Sequence, residues 1–287
     1  MKQMFHLPHA EWYVPDARPL EAALARTTHL GIGAHQDDLE IMAIPGILDC
    51  YRDPQQWFAG ITVTNGSGTP RTGAYAGYTD DEMVHVRNRE QKYAAQLGEY
   101  GAQAMLGYPS TAVKDRADDR PTDDIAATLA ACRPHTVYTH NLADKHDTHV
   151  GVALKVIDAI RRQPGAARPR RLLGCEVWRD LDWLPEADKV ALRCDAREGL
   201  QAALVGVFDS QTTGGKRYDL AALARRRAHA TYHASHESDA AQALTFAMDL
   251  TPLITDRTLE PLDFVQGNIR RLGEDVAARF ARLGAAP

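Results

Sequence analysis

Cysteine is scarce in this 287-residue chain, and Cys50, Cys132, Cys175 and Cys194 are scattered with no C-x-x-C pair among them. That spacing argues against a thiolate zinc knuckle or a disulfide framework and leads us to expect buried thiols in a reducing compartment. Long apolar runs are missing as well. No stretch of about 18 apolar residues occurs, and residues 1–9 lack the apolar core of about 7–15 residues that a signal peptide needs. The expectation is a cytoplasmic protein of bacterial type with no membrane partner. Positive charge is not concentrated: the formal net charge is -5, and the only basic blocks are Arg225-Arg226-Arg227 and Arg168-Pro169-Arg170-Arg171. Such short runs read as solvated faces, which excludes a nucleic-acid partner.

What remains is an ordinary apolar fraction, 44%, enough for a deep core. Residues 1–27 read as a polar, proline-containing extension with one helix at 20–25, and residues 28–287 as a single domain. Its core spans about 28–180, with a further strand and helix portion over 181–287. Strand-like and helix-like segments alternate: strands at 57–64, 104–108 and 136–140, and helices at 80–97, 122–132 and 150–161. Thr79 or Asp80 is the N-cap of the 80–97 helix and Gly98 its stop. Two more strands at 172–178 and 189–194 are expected to extend the far edge of the sheet. Helices follow at 199–208, 220–233 and 263–283, with Pro252 and Pro261 marking breaks. The pattern predicts an α/β fold: a Rossmann-like, mostly parallel sheet with helices on both faces and extra strands and helices at the C-terminal end.

Everything is organised around residues 28–40, where a short apolar run through Leu30, Ile32 and Ala34 ends in His35, Asp37 and Asp38. These three residues fall on a strand-to-helix turn, the position at which open α/β sheets bind ligands. His35 and Asp38, three apart, can reach one divalent ion, while Asp37 points elsewhere. A hydrolytic zinc needs about three protein ligands and an open position. The natural supplier of the third is the segment 140–149, a second strand end opening into a helix. There His146 and His149 have the spacing that lets one ring bind metal while the other faces a substrate.

Ala34-His35-Gln36-Asp37-Asp38-Leu39-Glu40 resembles the Ala-His-Pro-Asp-Asp-x-Glu signature of the PIG-L/LmbE family of zinc-dependent de-N-acetylases. Asp144-x-His146-x-x-His149 is similar to its second motif, Arg87-Asn88-Arg89-Glu90 to its Arg-x-x-Glu helix, and Leu106-Gly107-Tyr108-Pro109 to its next strand end. The matches run in the family's order over roughly residues 28–160. The resemblance implies a metal-dependent N-deacetylase with zinc, or another divalent ion such as Fe2+, on His35, Asp38 and His149. Asp37 would then be the general base toward a water whose pKa zinc can lower from 15.7 to about 7. It further implies that His146 stabilises the oxyanion or protonates the leaving amine, that Asp144 or Asp147 orients the His146 ring, and that Arg87 hydrogen-bonds a sugar hydroxyl. Glu90 would pair with a nearby arginine. The expected partner is a small N-acetylglucosamine-type conjugate, in a chain that can form a homo-oligomer.

Three positions depart from the family pattern. Gln36 stands where the family has proline, Thr148 where it has aspartate before the last histidine, and Met42-Ala43-Ile44-Pro45 where it has a glycine-rich segment. The second departure removes the carboxylate expected to orient His149. Two alternatives to the amino-sugar reading are an amidohydrolase of non-sugar amides and a metal-containing sugar-binding or structural protein with little turnover. Specificity is expected in the loops 68–78, 110–119 and 211–217.

Overall fold

Strand β2 (His29–Gly33) lies in the middle of the sheet with both faces covered: Leu30 and Ile32 on one face are wholly buried, and Gly31 and Gly33 on the other let Phe58, Leu39 and Asp38 approach closely. The computed structural model describes residues 4–284. In chain order the elements are β1 (Glu11–Tyr13), α1 (Leu20–Ala25), β2, α2 (Asp38–Met42), α3 (Ile44–Cys50), β3 (Phe58–Thr64), α4 (Asp80–Leu97), β4 (Ala102–Tyr108), α5 (Ser110–Lys114) and α6 (Arg120–Cys132). Then come β5 (Thr136–His140), α7 (Asp147–Arg162), β6 (Arg171–Cys175), β7 (Lys189–Arg193), α8 (Glu198–Gly206), α9 (Asp209–Thr212), α10 (Tyr218–Tyr232), β8 (Leu244–Asp249), α11 (Thr251–Thr255) and α12 (Pro261–Arg282).

The eight strands form one sheet in the order β1-β4-β3-β2-β5-β6-β8-β7. Its middle, from β4 to β6, is parallel, and the pairs β1/β4, β6/β8 and β8/β7 are antiparallel. The chain runs outward from β2 through β3 to β4, then returns to β5 on the other side of β2. That reversal makes a crevice beyond the carboxyl ends of β2 and β5, the switch point at which such sheets take ligands. The expected mostly parallel α/β sheet with C-terminal additions is present. Two strands were not expected: Glu11–Tyr13 of the N-terminal extension forms β1 on the edge strand β4, and Leu244–Asp249 forms β8 and inserts between β6 and β7, so the two C-terminal strands that the sequence suggests do not pair with each other. The Leu-Thr-Phe-Ala-Met core of β8 is poor in β-branched residues, and burial of five consecutive side chains outweighs that weak propensity.

Of the long helices, α4 and α7 start on side-chain caps. Thr79 and Glu82 form a reciprocal capping box at the start of α4, so Thr79 rather than Asp80 is the N-cap. Among the described residues no helix is long and apolar enough to cross a membrane. Just after the Met42-Ala43-Ile44-Pro45 segment, a glycine stands where space demands it. A Cβ on Gly46 would lie 2.5 Å from Cε2 of Tyr138, so α3 sits hard against β5. We predict that Gly46→Ala lowers stability by about 1–3 kcal/mol through overpacking. Adding Tyr138→Leu should recover part of the loss in a urea titration, and a fully stable Gly46→Ala chain would contradict this packing.

Candidate metal centre and active site

The loop after β2 is held before it turns: Thr64 at the end of β3 donates to the carbonyl of Ala34 through both its N–H and its hydroxyl, each at 2.8 Å. The backbone then bends sharply at Asp37, whose φ of 97° lies in the left-handed region, costly for any residue but glycine. Asp38 opens α2 with its carboxylate turned back to accept from the backbone N–H of His35 at 2.6 Å. Below it, Glu40 is buried and accepts from Tyr100 at 2.8 Å and from Gln91 at 2.9 Å. Arg226 donates to the carbonyls of Glu40 and Ile41 at 2.8 and 3.1 Å, which satisfies the carbonyl end of this very short helix. The turn is thus held from β3, α4 and α10 together.

Three lone-pair donors converge across the switch point. His35 Nδ1 lies 3.2 Å from His149 Nε2, Asp38 Oδ2 lies 3.3 Å from His35 Nδ1, and Asp38 Oδ1 lies 3.5 Å from His149 Nε2. A tetrahedral zinc with bonds of about 2.0–2.1 Å separates its ligand atoms by roughly 3.3–3.4 Å. These closest approaches, two of them to different oxygens of Asp38, are near that spacing, and one donor atom from each residue lies within 4.8 Å of the other two, so the three side chains can hold one such ion. His149 is aligned for the task by Asp144, whose Oδ2 lies 3.4 Å from His149 Nδ1. With that nitrogen donating to Asp144, Nε2 presents its lone pair to the triangle. Burial holds the His149 ring down at about 4, with the neighbouring His140 acting in the same direction, so it is neutral near pH 7. Burial opposes ionisation of Asp38, but the rings of His149 and His140 outweigh it and hold its carboxyl well below the usual range.

Asp144 is thereby placed beside His149 rather than beside the imidazole of His146, and it supplies the orienting carboxylate that Thr148 does not. It is itself fixed by the backbone N–H of His146 at 3.0 Å and of Trp178 at 3.1 Å. Asp147 is exposed on the first turn of α7 and its side chain makes no hydrogen bond among the described residues. His146 caps that helix: its Nδ1 accepts from Thr148 N–H at 3.3 Å. The neutral ring then carries its proton on Nε2, and burial together with the nearby His35 lowers its pKa.

A cleft of about 370 Å³ opens over the triangle, and Asp37, His146, Arg87, Trp178, Gln211 and Tyr218 line it along with the loop 64–70. Asp37 is buried, which drives its pKa well above the ordinary carboxylate value, while the guanidinium of Arg87, 3.5 Å away, pulls it down. Arg87 also donates to the carbonyl of Gln36 at 2.5 Å. Its Nη2 therefore braces the turn at the floor of the cleft. Glu90 meets no arginine hydrogen bond; both its oxygens accept from Ser210, from N–H at 2.8 Å and from the hydroxyl at 2.6 Å. This joins α4 to α9 and brings Gln211 to the cleft, where it accepts from Thr69 at 3.0 Å.

Sequence reasoning did not single out His140, Trp178 or Tyr218. His140 is fully buried, stacks on His149 with ring centroids 3.8 Å apart, and accepts from Ala34 N–H at 2.9 Å. Its position at the end of β5, one strand from His35, was the available signal. Trp178, just after β6, and Tyr218, at the start of α10, stand edge to face at 6.1 Å, and both lie beyond the last motif, where nothing in the sequence marks them.

No curated protein matches the chain. Solved structures do. An N,N'-diacetylchitobiose deacetylase from Pyrococcus horikoshii superposes with a TM-score of 0.61 at 13% identity, covering 80% of this chain and 86% of its own. The A40926 pseudoaglycone deacetylase Dbv21 gives 0.56 at 16%, covering 78% and 97%. GalB, a 4-carboxy-2-hydroxymuconate hydratase from Pseudomonas putida, gives 0.57 at 14%, covering 78% and 95%. At these identities the likeness is one of fold. The family profile described as GlcNAc-PI de-N-acetylase, PIG-L, matches residues 30–160. That matched segment carries His35, Asp37, Asp38, Arg87, Asp144, His146 and His149, and over it the chain is similar to the PIG-L family.

Proposed function

We propose that this protein is a zinc-dependent hydrolase that removes the N-acetyl group from an N-acetylglucosamine-type conjugate, releasing acetate and a free amine. The observation that carries the reading is the triangle of His35, Asp38 and His149 at 3.2–3.5 Å, set in the floor of a cleft that Asp37 and His146 also line. Zinc, when bound by these three residues, supplies a Lewis-acid charge for the amide carbonyl and lowers the pKa of a water in its open position to about 7.

The protein's own residues supply the proton transfers. Asp37, ionised, takes a proton from the attacking water as the new C–O bond forms. Its carboxylate is buried and braced by Arg87, which fixes the direction in which it accepts. His146 donates a hydrogen bond from Nε2 to the oxyanion, and the proton that Asp37 took from the water passes to the amine nitrogen when C–N breaks, which returns Asp37 to its carboxylate. The Thr148 N–H contact on Nδ1 selects the tautomer that this requires. Trp178 and Tyr218 offer apolar surface to a sugar ring, and Gln211, Asn65 and Ser110 offer hydrogen bonds to hydroxyls.

Two measurements test this. Acetate release is expected from a panel of N-acetylglucosamine conjugates, abolished by a chelator and restored by zinc or ferrous ion. The same fold is found in a hydratase, so the panel includes unsaturated carboxylated substrates; water addition to these without acetate release would replace the amide reading. Asp37→Asn should keep the metal and lower kcat by about 100-fold or more. The raised pKa of Asp37 sets the sign of the pH profile. The base works only when ionised, so kcat/KM should fall on acidification, with its midpoint above the ordinary aspartate value of about 3.9. Unchanged turnover in Asp37→Asn would remove it from the mechanism.

A further inference from the structure

In the turn between β2 and α2, Gln36 stands where the PIG-L motif has proline, and its side chain does not reach the cleft. It is wholly buried behind the cleft wall. Its amide nitrogen has two acceptors: Nε2 donates to Oδ1 of Asn88 on α4 at 3.0 Å and to the carbonyl of Asn65 at 3.4 Å. Asn65 opens the loop 65–70, which forms one wall of the cleft, whereas Asn88 lies outside the cleft. Gly66 rests on the same amide. Its φ is 70°, and a Cβ there would lie 2.3 Å from Gln36 Oε1, so the loop passes as close to the glutamine as a bare backbone allows.

The amide adds little stability. Its Oε1 is buried with no donor among the described residues, a cost that an apolar side chain of the same size avoids. The acceptors it serves belong to Asn65 and Asn88, both only half-buried, so water can replace it there. What the amide supplies is a connection. A proline at this position leaves the loop and α4 unjoined, and glutamine joins them. The backbone of the same residue braces the floor, since its carbonyl accepts from Arg87, which also lies 3.5 Å from Asp37. Wall and floor therefore meet at one residue. We propose that Gln36 is a positioning residue, holding loop 65–70 against α4 at the height where Asn65 and Ser67 face the substrate. A wall fixed before the substrate arrives need not be ordered on binding, so Gln36 acts on affinity and not on the chemical step.

The test uses the full zinc-loaded chain. Gln36→Met keeps the volume and removes both donated bonds. Toward an N-acetylglucosamine conjugate it should raise KM by about tenfold and leave kcat within about twofold, with metal content unchanged and the thermal midpoint not lowered. Asn88→Ala should raise KM in the same direction by less. The double variant should go no further than Gln36→Met alone, because both bonds share one amide. Hydrogen exchange at the amides of 65–70, measured without substrate, should be faster in Gln36→Met. The KM readout rests on the deacetylase reading and the exchange readout does not. A wild type that releases no acetate from any conjugate removes that reading, and the exchange comparison then decides the role of Gln36 by itself. Exchange at 65–70 equal to the wild type overturns the proposal, as does a fall in kcat at constant KM. Single-variant effects on KM that multiply in the double variant overturn it too. A lowered midpoint with KM unchanged assigns Gln36 to folding alone and overturns it as well.

Discussion

The constraint on which the site depends is the parallel pairing of β2 with β5. Leu30 lies beside Val137 and Gly31 beside Tyr138, so both strands end at the same height and both chains turn into helices above the same point. A donor on either turn alone has no second anchor. The turn after β2 brings His35 and Asp38; the segment after β5 brings Asp144 to position His149 and His146 to cap α7. Because β2 and β5 are neighbours only through the reversal of strand order, the meeting of His35, Asp38 and His149 is a property of the topology as much as of the residues.

Around that point the protein uses burial and hydrogen bonds to assign different states to chemically similar groups. Asp37 and Asp38 are adjacent and both buried, yet Asp38 faces three imidazoles and is held ionised, whereas Asp37 faces one guanidinium and further carboxylates and is driven upward. The two histidines of the second motif divide likewise. His149 has one nitrogen on Asp144 and the other in the triangle, and His146 has one nitrogen on a helix N–H and the other available to the cleft. Pairs of like residues pushed apart by their surroundings are what acid–base chemistry near neutral pH requires.

Much of this was readable in the chain itself, for a physical reason. His35, Asp37 and Asp38 lie within four residues, as do His146 and His149, so local turn geometry already restricts where they point. The alternation of apolar and amphipathic segments likewise fixed the parallel centre of the sheet. What escaped was long-range. The bond from Glu90 to Ser210 spans 120 residues, and the capping of α2 by Arg226 spans 186. Nothing local marks either partner. Strand β8 was missed because Leu, Ala and Met carry little strand propensity, and only the slot between β6 and β7 makes those residues extended. Asp144 was noticed, but its choice between two histidine rings depends on the path of the chain after β5, where the N–H groups of His146 and Trp178 fix the carboxylate.

The central claim is that two strand ends close on a single cation. The most direct measurement is anomalous diffraction at the zinc edge from crystals of the metal-loaded protein. One peak is predicted, at about 2.0–2.2 Å from His35 Nδ1, His149 Nε2 and a carboxylate oxygen of Asp38. Absence of a peak there under saturating zinc, or a peak bonded to His140 and Asp144 in its place, would contradict the account.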